Sequence, residues 1–408
     1  MSRRVTLEAM CVLLFPDNAP RDFDGFGERL DGALDGLETL PSNEAKARMD
    51  QLHDTEMALL GSEYLETRRI ARWPLGRVRL PAATGAGEPQ SADVFLVTHT
   101  AGAALWEAWI PIPEQPLDAE RFVAWLRSDT TTSAAGVVKQ CLASVSRQIS
   151  TWGGIEDCFP FTILRHPGDE PTLDTIAAEN GGDLVRILYL DWSRLAFKKA
   201  VIAEELARDF CLREGGISLL SPRGALDLRT GEGLPTMPDG SLVLAPRSAL
   251  PLLISVELLL IERAVLKLFH ERMPDAEAPG SLSRLVKLKA ELLDGLEEYR
   301  GTVAESNRFS SQVTAYGEQV LGLDVSYRAL IEQLDGVTFE ITTRYQQTTN
   351  LLQFALTVVF GALQASSVAA VIAAVHYQHE PIYVLAWAAG VGCSAASLIA
   401  LLLRRRLH

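Results

Sequence analysis

The stretch Tyr345–Val375, YQQTTNLLQFALTVVFGALQASSVAAVIAAV, contains no Asp, Glu, Lys or Arg. A helix rises about 1.5 Å per residue, so the apolar centre Leu351–Val375 is long enough to cross about 30 Å of hydrocarbon. A second apolar run, Ile382–Leu403, is separated from it only by His376-Tyr377-Gln378-His379-Glu380-Pro381, which reads as a tight turn. Backbone polar groups in lipid must be bonded within each segment, so two such runs and a turn predict a transmembrane helical hairpin. The tail Arg404-Arg405-Arg406-Leu407-His408 is basic, and positive residues beside a span are held on the cytoplasmic side. The tail and, two spans back, the N-terminal part are therefore expected in the cytoplasm, with the turn outside. The lipid bilayer is the first expected partner and the inner (plasma) membrane the expected location. Arg344 before the first run agrees, and Tyr383 and Trp387 suit the outer interface.

Outside the hairpin the 408-residue chain keeps enough length for a substantial core. A formal net charge of −14 argues against nucleic acid as a partner. The five cysteines, Cys11, Cys141, Cys158, Cys211 and Cys393, show no paired spacing, which suits a reducing compartment and neither a zinc knuckle nor a redox pair. Arg3 and Arg4 precede an apolar run, but Glu8 interrupts it and no cleavage pattern follows, so no secretory signal is expected.

Working back from the hairpin, Val325–Val375 carries no Pro and predicts one helix, a stalk continuing into the first span. Gly322 interrupts the pattern before it, and Ser281–Leu321 and Leu250–Arg272 also read as helices. The latter is strongly apolar, but Glu257, Glu262, Arg263 and Lys267 favour a packed helix over a third span. Towards the N-terminus, Val5–Phe15, Val78–Leu80, Asp93–Thr98, Ala104–Ile110, Leu184–Leu190, Ile217–Leu220, Ala225–Leu228 and Ser241–Leu244 read as strands. Helices are expected over Asp22–Leu60, Leu117–Arg127, Ala134–Gln148 and Trp192–Glu214. Gly153-Gly154, Gly181-Gly182 and Gly215-Gly216 read as turn signals. The expected fold class is thus an α+β membrane protein: a cytosolic α/β domain over 1–247, a cytosolic helical stalk region over 248–344, and a transmembrane hairpin with a basic tail over 345–408.

The first span is not uniformly apolar. Gln346, Asn350, Gln353, Thr357, Gly361 and Gln364 recur at steps of three and four, which keeps them on one helical face. Projected backwards, the same face carries Asp335 and, less closely, Glu332. Polar groups in a span face a bundle interior or a watery path rather than lipid. Two readings follow. Several copies around an axis could line a pore with this row, Glu332 and Asp335 drawing cations to its inner mouth. Alternatively, the amides and hydroxyls bond helix to helix in a dry bundle. The second span carries Gly390, Gly392, Cys393, Ser394, Ala395, Ala396 and Ser397, small residues suited to close packing against the first.

This layout resembles the CorA-like magnesium channel family: an N-terminal α/β domain, a long helix running into the first span, a short outer turn, a second span and a basic tail. At residue level Tyr327-Arg328, Leu330, Leu334-Asp335, Gln347, Leu351 and Leu352 are similar to the family's stalk-to-span segment. The resemblance implies a homo-oligomer, a pentamer, that passes divalent cations such as Mg2+ along the first span. The family's Gly-Met-Asn at the outer end of that span is absent; Ile372-Ala373-Ala374-Val375-His376 stands there. Magnesium selectivity therefore does not carry over, and a membrane-anchored sensor or gated effector is the alternative function.

His376, His379 and Glu380 in the outer turn are candidates for binding Zn2+ or a similar metal, or for titration by protons; the plainer and preferred reading of the same residues is a polar turn that keeps the hairpin tip in water. Glu332, Asp335 and Glu340, with Glu291, Asp294, Glu297 and Glu298, form either a solvated face or divalent-cation sites between subunits. No phosphate-binding loop, dinucleotide fingerprint, metalloprotease or nucleophile-elbow motif occurs, and His53-Asp54 and His99 have no nucleophile partner in the sequence. No enzymatic activity is expected.

Overall fold

The structure is a computed structural model. It describes residues 5–18, 34, 36–66, 70–80, 91–99, 102–149, 155, 157–193, 195–276, 283–284, 286–287, 289–290, 308–376 and 381–406. The chain is a mixed α+β protein with an N-terminal sheet and C-terminal helices, and divides into two compact units, Met1–Ile331 and Glu332–His408.

The first unit is built on seven strands: β1 (Thr6–Asn18), β2 (Ile70–Arg79), β3 (Ser91–His99), β4 (Ala103–Pro116), β5 (Phe159–His166), β6 (Gly216–Leu220) and β7 (Ala225–Thr230). They lie in the order β2-β3-β4-β1-β5-β7-β6, and every pairing is antiparallel except β5 with β7. β1 is central, and from Ala9 to Phe15 every residue is buried, which is why it reads as a continuous apolar run rather than an alternating one.

The two faces of the sheet differ in chemistry. Leu7, Ala9, Cys11, Leu13 and Phe15 of β1, with Val94 and Leu96 of β3 and Trp106 and Ala108 of β4, belong to a mainly apolar layer, in which the Trp106 indole donates to the buried Asp17 carboxylate. That layer is closed by α2 (Ala119–Leu126), α3 (Ala134–Ile149) and α4 (Leu173–Tyr189), through Phe122, Leu126, Val138, Leu142, Ile176 and Leu184. Burial pushes the Cys11 thiol up to about 12, so it is an inert core residue. The opposite face packs against α6 (Leu250–Ala276), which lies over β4 and β1. α1 (Ser42–Glu66) joins it there through Leu59, Leu60, Ile254 and Leu258.

Several expectations are corrected. Leu184–Leu190 is not a strand but the end of α4, which is capped at its start by the Thr172 hydroxyl accepting from the Thr175 amide. Gly181-Gly182 is no turn: Gly181 sits in mid-helix because α5 (Lys199–Leu206) packs there. A Cβ at Gly181 would stand 2.9 Å from Ile202 Cγ2. The helix expected over Trp192–Glu214 is only α5, and Ser241–Leu244 is reduced to an isolated bridge between Thr236 and Val243. β5 was not anticipated, because Pro160 interrupts its apolar run and proline is poorly tolerated inside a sheet. Of the helix expected over Asp22–Leu60, residues 22–33 lie outside the described residues and the helix begins at Ser42.

Of the helix expected over Ser281–Leu321, residues 291–307 lie outside the described residues, as does the turn expected at Gly153-Gly154, and the helical reading is met from Arg308 onward. α7 (Arg308–Val320) ends before Gly322, which has φ +69°. α8 then runs unbroken over Leu323–His376, 54 residues, and α9 covers Pro381–Arg406. Within α8, Tyr345–His376 is long and apolar enough to cross a membrane; among the described residues of α9, Pro381–Ala395 is a shorter apolar stretch.

Candidate functional site

In the second unit α8 and α9 form a hairpin with a definite packed side. Ala369 and Ala373 of α8 are buried, and the Ser366 hydroxyl donates to the Ala388 carbonyl of α9 at 3.1 Å. Gly392 lies against the same serine: a Cβ there would clash with Ser366 Oγ. The small residues expected to let the second helix approach the first do so at this point.

The polar row lies on the other side. Gln346, Asn350, Gln353, Thr357, Gly361 and Gln364 are all exposed, and at 3.6 residues per turn they fall within a sector of roughly 80°. Ser366, Ala369 and Ala373, which face α9, lie roughly 120–180° round the helix from its centre. The hairpin partner therefore leaves the row uncovered. Thr357 turns its hydroxyl to the Gln353 carbonyl at 2.8 Å, and an added Cβ at Gly361 would meet nothing within 4 Å. Glu332 and Asp335 are exposed on the same line at the start of this unit. Beyond Gln364 the line continues as Val368, Val371 and Val375, all exposed and apolar. Between the row and the packed side stand Leu352, Leu356, Val359, Phe360 and Leu363, each more than half exposed.

His376 ends α8 and is exposed, while His379 and Glu380 lie outside the described residues, as do Glu291, Asp294, Glu297 and Glu298. Among the described residues, no three of His, Cys, Asp and Glu are grouped so as to hold a metal ion.

The charged face of the sheet was not anticipated. Arg72 of β2 is buried and bonded to three carboxylates from three other elements: Glu56 of α1 at 2.7 Å, Glu107 of β4 and Glu257 of α6. Glu107 also accepts from the Trp109 indole at 3.0 Å, and the Arg48 guanidinium lies 4.5 Å from the centre of the Trp109 ring while donating to the Val243 carbonyl. Arg77 bridges Glu44 and Asp93 alongside. Burial works against the charge on Arg72, but Glu107, Glu257 and Glu56 outweigh it and hold its pKa well above the ordinary value. One cation cannot balance three anions, and Glu257 yields: burial, aided by Glu107 and Glu56 and opposed by Arg72, raises its pKa well above the usual carboxylate range. A second buried pair, Arg165 with Asp227 at 2.6 Å, is completed by Ser218, Ser248 and backbone carbonyls. The sequence signal for both groups is an isolated charge within an apolar segment, such as Glu107 in ALWEAWI, Arg165 in FTILRH and Glu257 in LLISVELLL. Both groups join elements of the sheet unit, so their role is to fix the fold.

Comparisons with family models, with curated proteins and with solved structures return no match to this chain.

The packing of the hairpin makes one expectation immediate. Gly392→Val drives methyl groups into Ser366 and displaces its bond to Ala388, at a cost of roughly 1–3 kcal/mol. Gly390→Ala, where an added Cβ meets nothing within 4 Å, does not lower stability and raises it by up to about 1 kcal/mol through helix propensity. Thermal unfolding of the detergent-solubilised protein separates the two.

Proposed function

We propose that the chain is a homo-oligomeric cation channel or transporter of the inner (plasma) membrane, with α8 lining its pore and both termini in the cytoplasm. The observation that carries this reading is the placement of the polar row opposite the face that α9 covers. A row of amides and a hydroxyl facing lipid is unfavourable, and the hairpin supplies no cover for it, so other copies of the same helix must. Copies arranged around an axis turn Gln346, Asn350, Gln353, Thr357 and Gln364 inward and leave the flanking leucines, valines and phenylalanines to lipid and neighbouring chains. Glu332 and Asp335 then form acidic rings at the inner mouth, which favours cations. The order of elements, a sheet unit followed by helices and a long helix running into an apolar hairpin, supports the likeness to the CorA-like family. From that likeness come a pentamer and a divalent metal as the ion, without a choice among divalent metals. Reconstituted into liposomes, the protein is expected to admit divalent cations faster than protein-free vesicles. Flux at the protein-free level for every cation tried would remove this reading.

A second reading has its own observation. Val368, Val371 and Val375 continue the row as an apolar third, where hydrated ions are disfavoured, and the Gly-Met-Asn segment is missing. A membrane-anchored sensor, whose sheet unit binds a ligand or partner without transport, accommodates both facts. Ligand binding without any conductance distinguishes it.

A further inference from the structure

We propose that a cleft at one end of the sheet binds an organic phosphate that carries an aromatic ring, a mononucleotide being the simplest such ligand. The site belongs to the first unit alone and does not depend on conduction. It is a cavity of about 760 Å³, within the usual range for small-molecule sites. Its floor is apolar, with Leu126, Ile155, Phe159, Leu190 and Leu260 among its walls.

Its rim is basic. Arg127, Arg223, Arg263 and Lys267 line it against Asp129 and Asp157, a local positive excess in a chain of net charge −14. Two of the four cations are already engaged: Arg127 holds Asp129 at 2.5 Å, and Lys267 lies 3.9 Å from Glu271. Arg127 also follows the carbonyl end of α2, where a cation is favoured regardless of any ligand. Arg223, on the turn between β6 and β7, and Arg263, in the middle of α6, have no such reason to be there. Both are exposed, and neither has an acidic partner among the described residues. Two guanidinium forks on one cleft match the oxygens of a phosphate chain.

The ring half of the ligand follows from Trp192. This indole is 71% exposed, an unusual position for the largest side chain, and the Arg127 guanidinium lies 5.5 Å from its ring centre. A planar ring laid on it would cover the indole while its phosphate reached the arginines, because an aromatic face stacks well with another.

The test is equilibrium dialysis of the full-length protein in detergent against ATP, AMP and pyrophosphate. Saturable binding of ATP or AMP at up to one per chain is expected, with pyrophosphate weaker. Arg223→Glu with Arg263→Glu should weaken nucleotide binding at least tenfold. Trp192→Ala should weaken nucleotide severalfold and leave pyrophosphate unchanged. All three residues are exposed, and an unaltered unfolding temperature verifies that the variants fold. No saturable nucleotide binding by the wild type, binding indifferent to the two arginine reversals, or pyrophosphate bound as tightly as ATP would each overturn the assignment.

Discussion

Arg72→Leu should lower the unfolding temperature of the protein by about 10 °C. The guanidinium it removes is bonded to all of Glu56, Glu107 and Glu257, and these side chains are almost wholly shut off from water. Stripping one partner from a buried ion group costs roughly 3–5 kcal/mol, because the charge left behind is neither solvated nor paired, and for a unit of this size each kcal/mol moves the transition by about 2–4 °C. Glu257→Gln should behave in the opposite way. Glu257 holds its proton in the folded state at pH values where the unfolded chain has already released it, since its folded pKa is raised. The folded state therefore binds more protons, and stability falls as pH rises from about 4.3 through the folded pKa. Glutamine mimics the protonated acid, so the variant should match or exceed the wild type at pH 8 and lose the decline between pH 5 and 8. Thermal unfolding across that range measures both. A transition moved by less than about 2 °C in Arg72→Leu would mean the cluster contributes nothing net to the fold.

The second large effect concerns the row on α8. Asn350→Leu combined with Gln364→Leu should reduce cation flux in proteoliposomes by about tenfold or more, because two rings that replace water around the ion become apolar. The substitution adds hydrophobic surface to a helix already suited to lipid, so insertion and assembly should be intact, and size-exclusion of the solubilised protein checks that. Leu352→Asn, placed between the row and the packed side, should leave the conduction path unaltered. Equal flux in the double variant and the wild type would count heavily against pore lining and in favour of the dry-bundle reading.

Much of the architecture was legible because periodicity and burial agree locally. The helix expected over Val325–Val375 is α8 to within two residues at each end, since nothing in its sequence breaks the pattern. β1, β3 and β4 were legible for the same reason. Where the reading failed, the deciding contact lies far along the chain. Leu184–Leu190 is an apolar run as short as a strand, and only the approach of Ile202 to Gly181 explains why two adjacent glycines stay helical. The polar row was visible as spacing, but that α9 packs on the opposite side was not, because it depends on the Ser366–Gly392 contact. The charged clusters show in the sequence only as isolated charges in apolar segments, with nothing to say which pair: Glu56, Arg72, Glu107 and Glu257 meet only when α1 and α6 close on one face of the sheet.

An image of the detergent-solubilised assembly, with its mass, tests the central claim most directly. Several copies around one axis, with α8 innermost and Asn350, Gln353, Thr357 and Gln364 converging on a central cavity, is the predicted result. Copies that turn those side chains toward lipid, or that pair with no cavity between them, would contradict it.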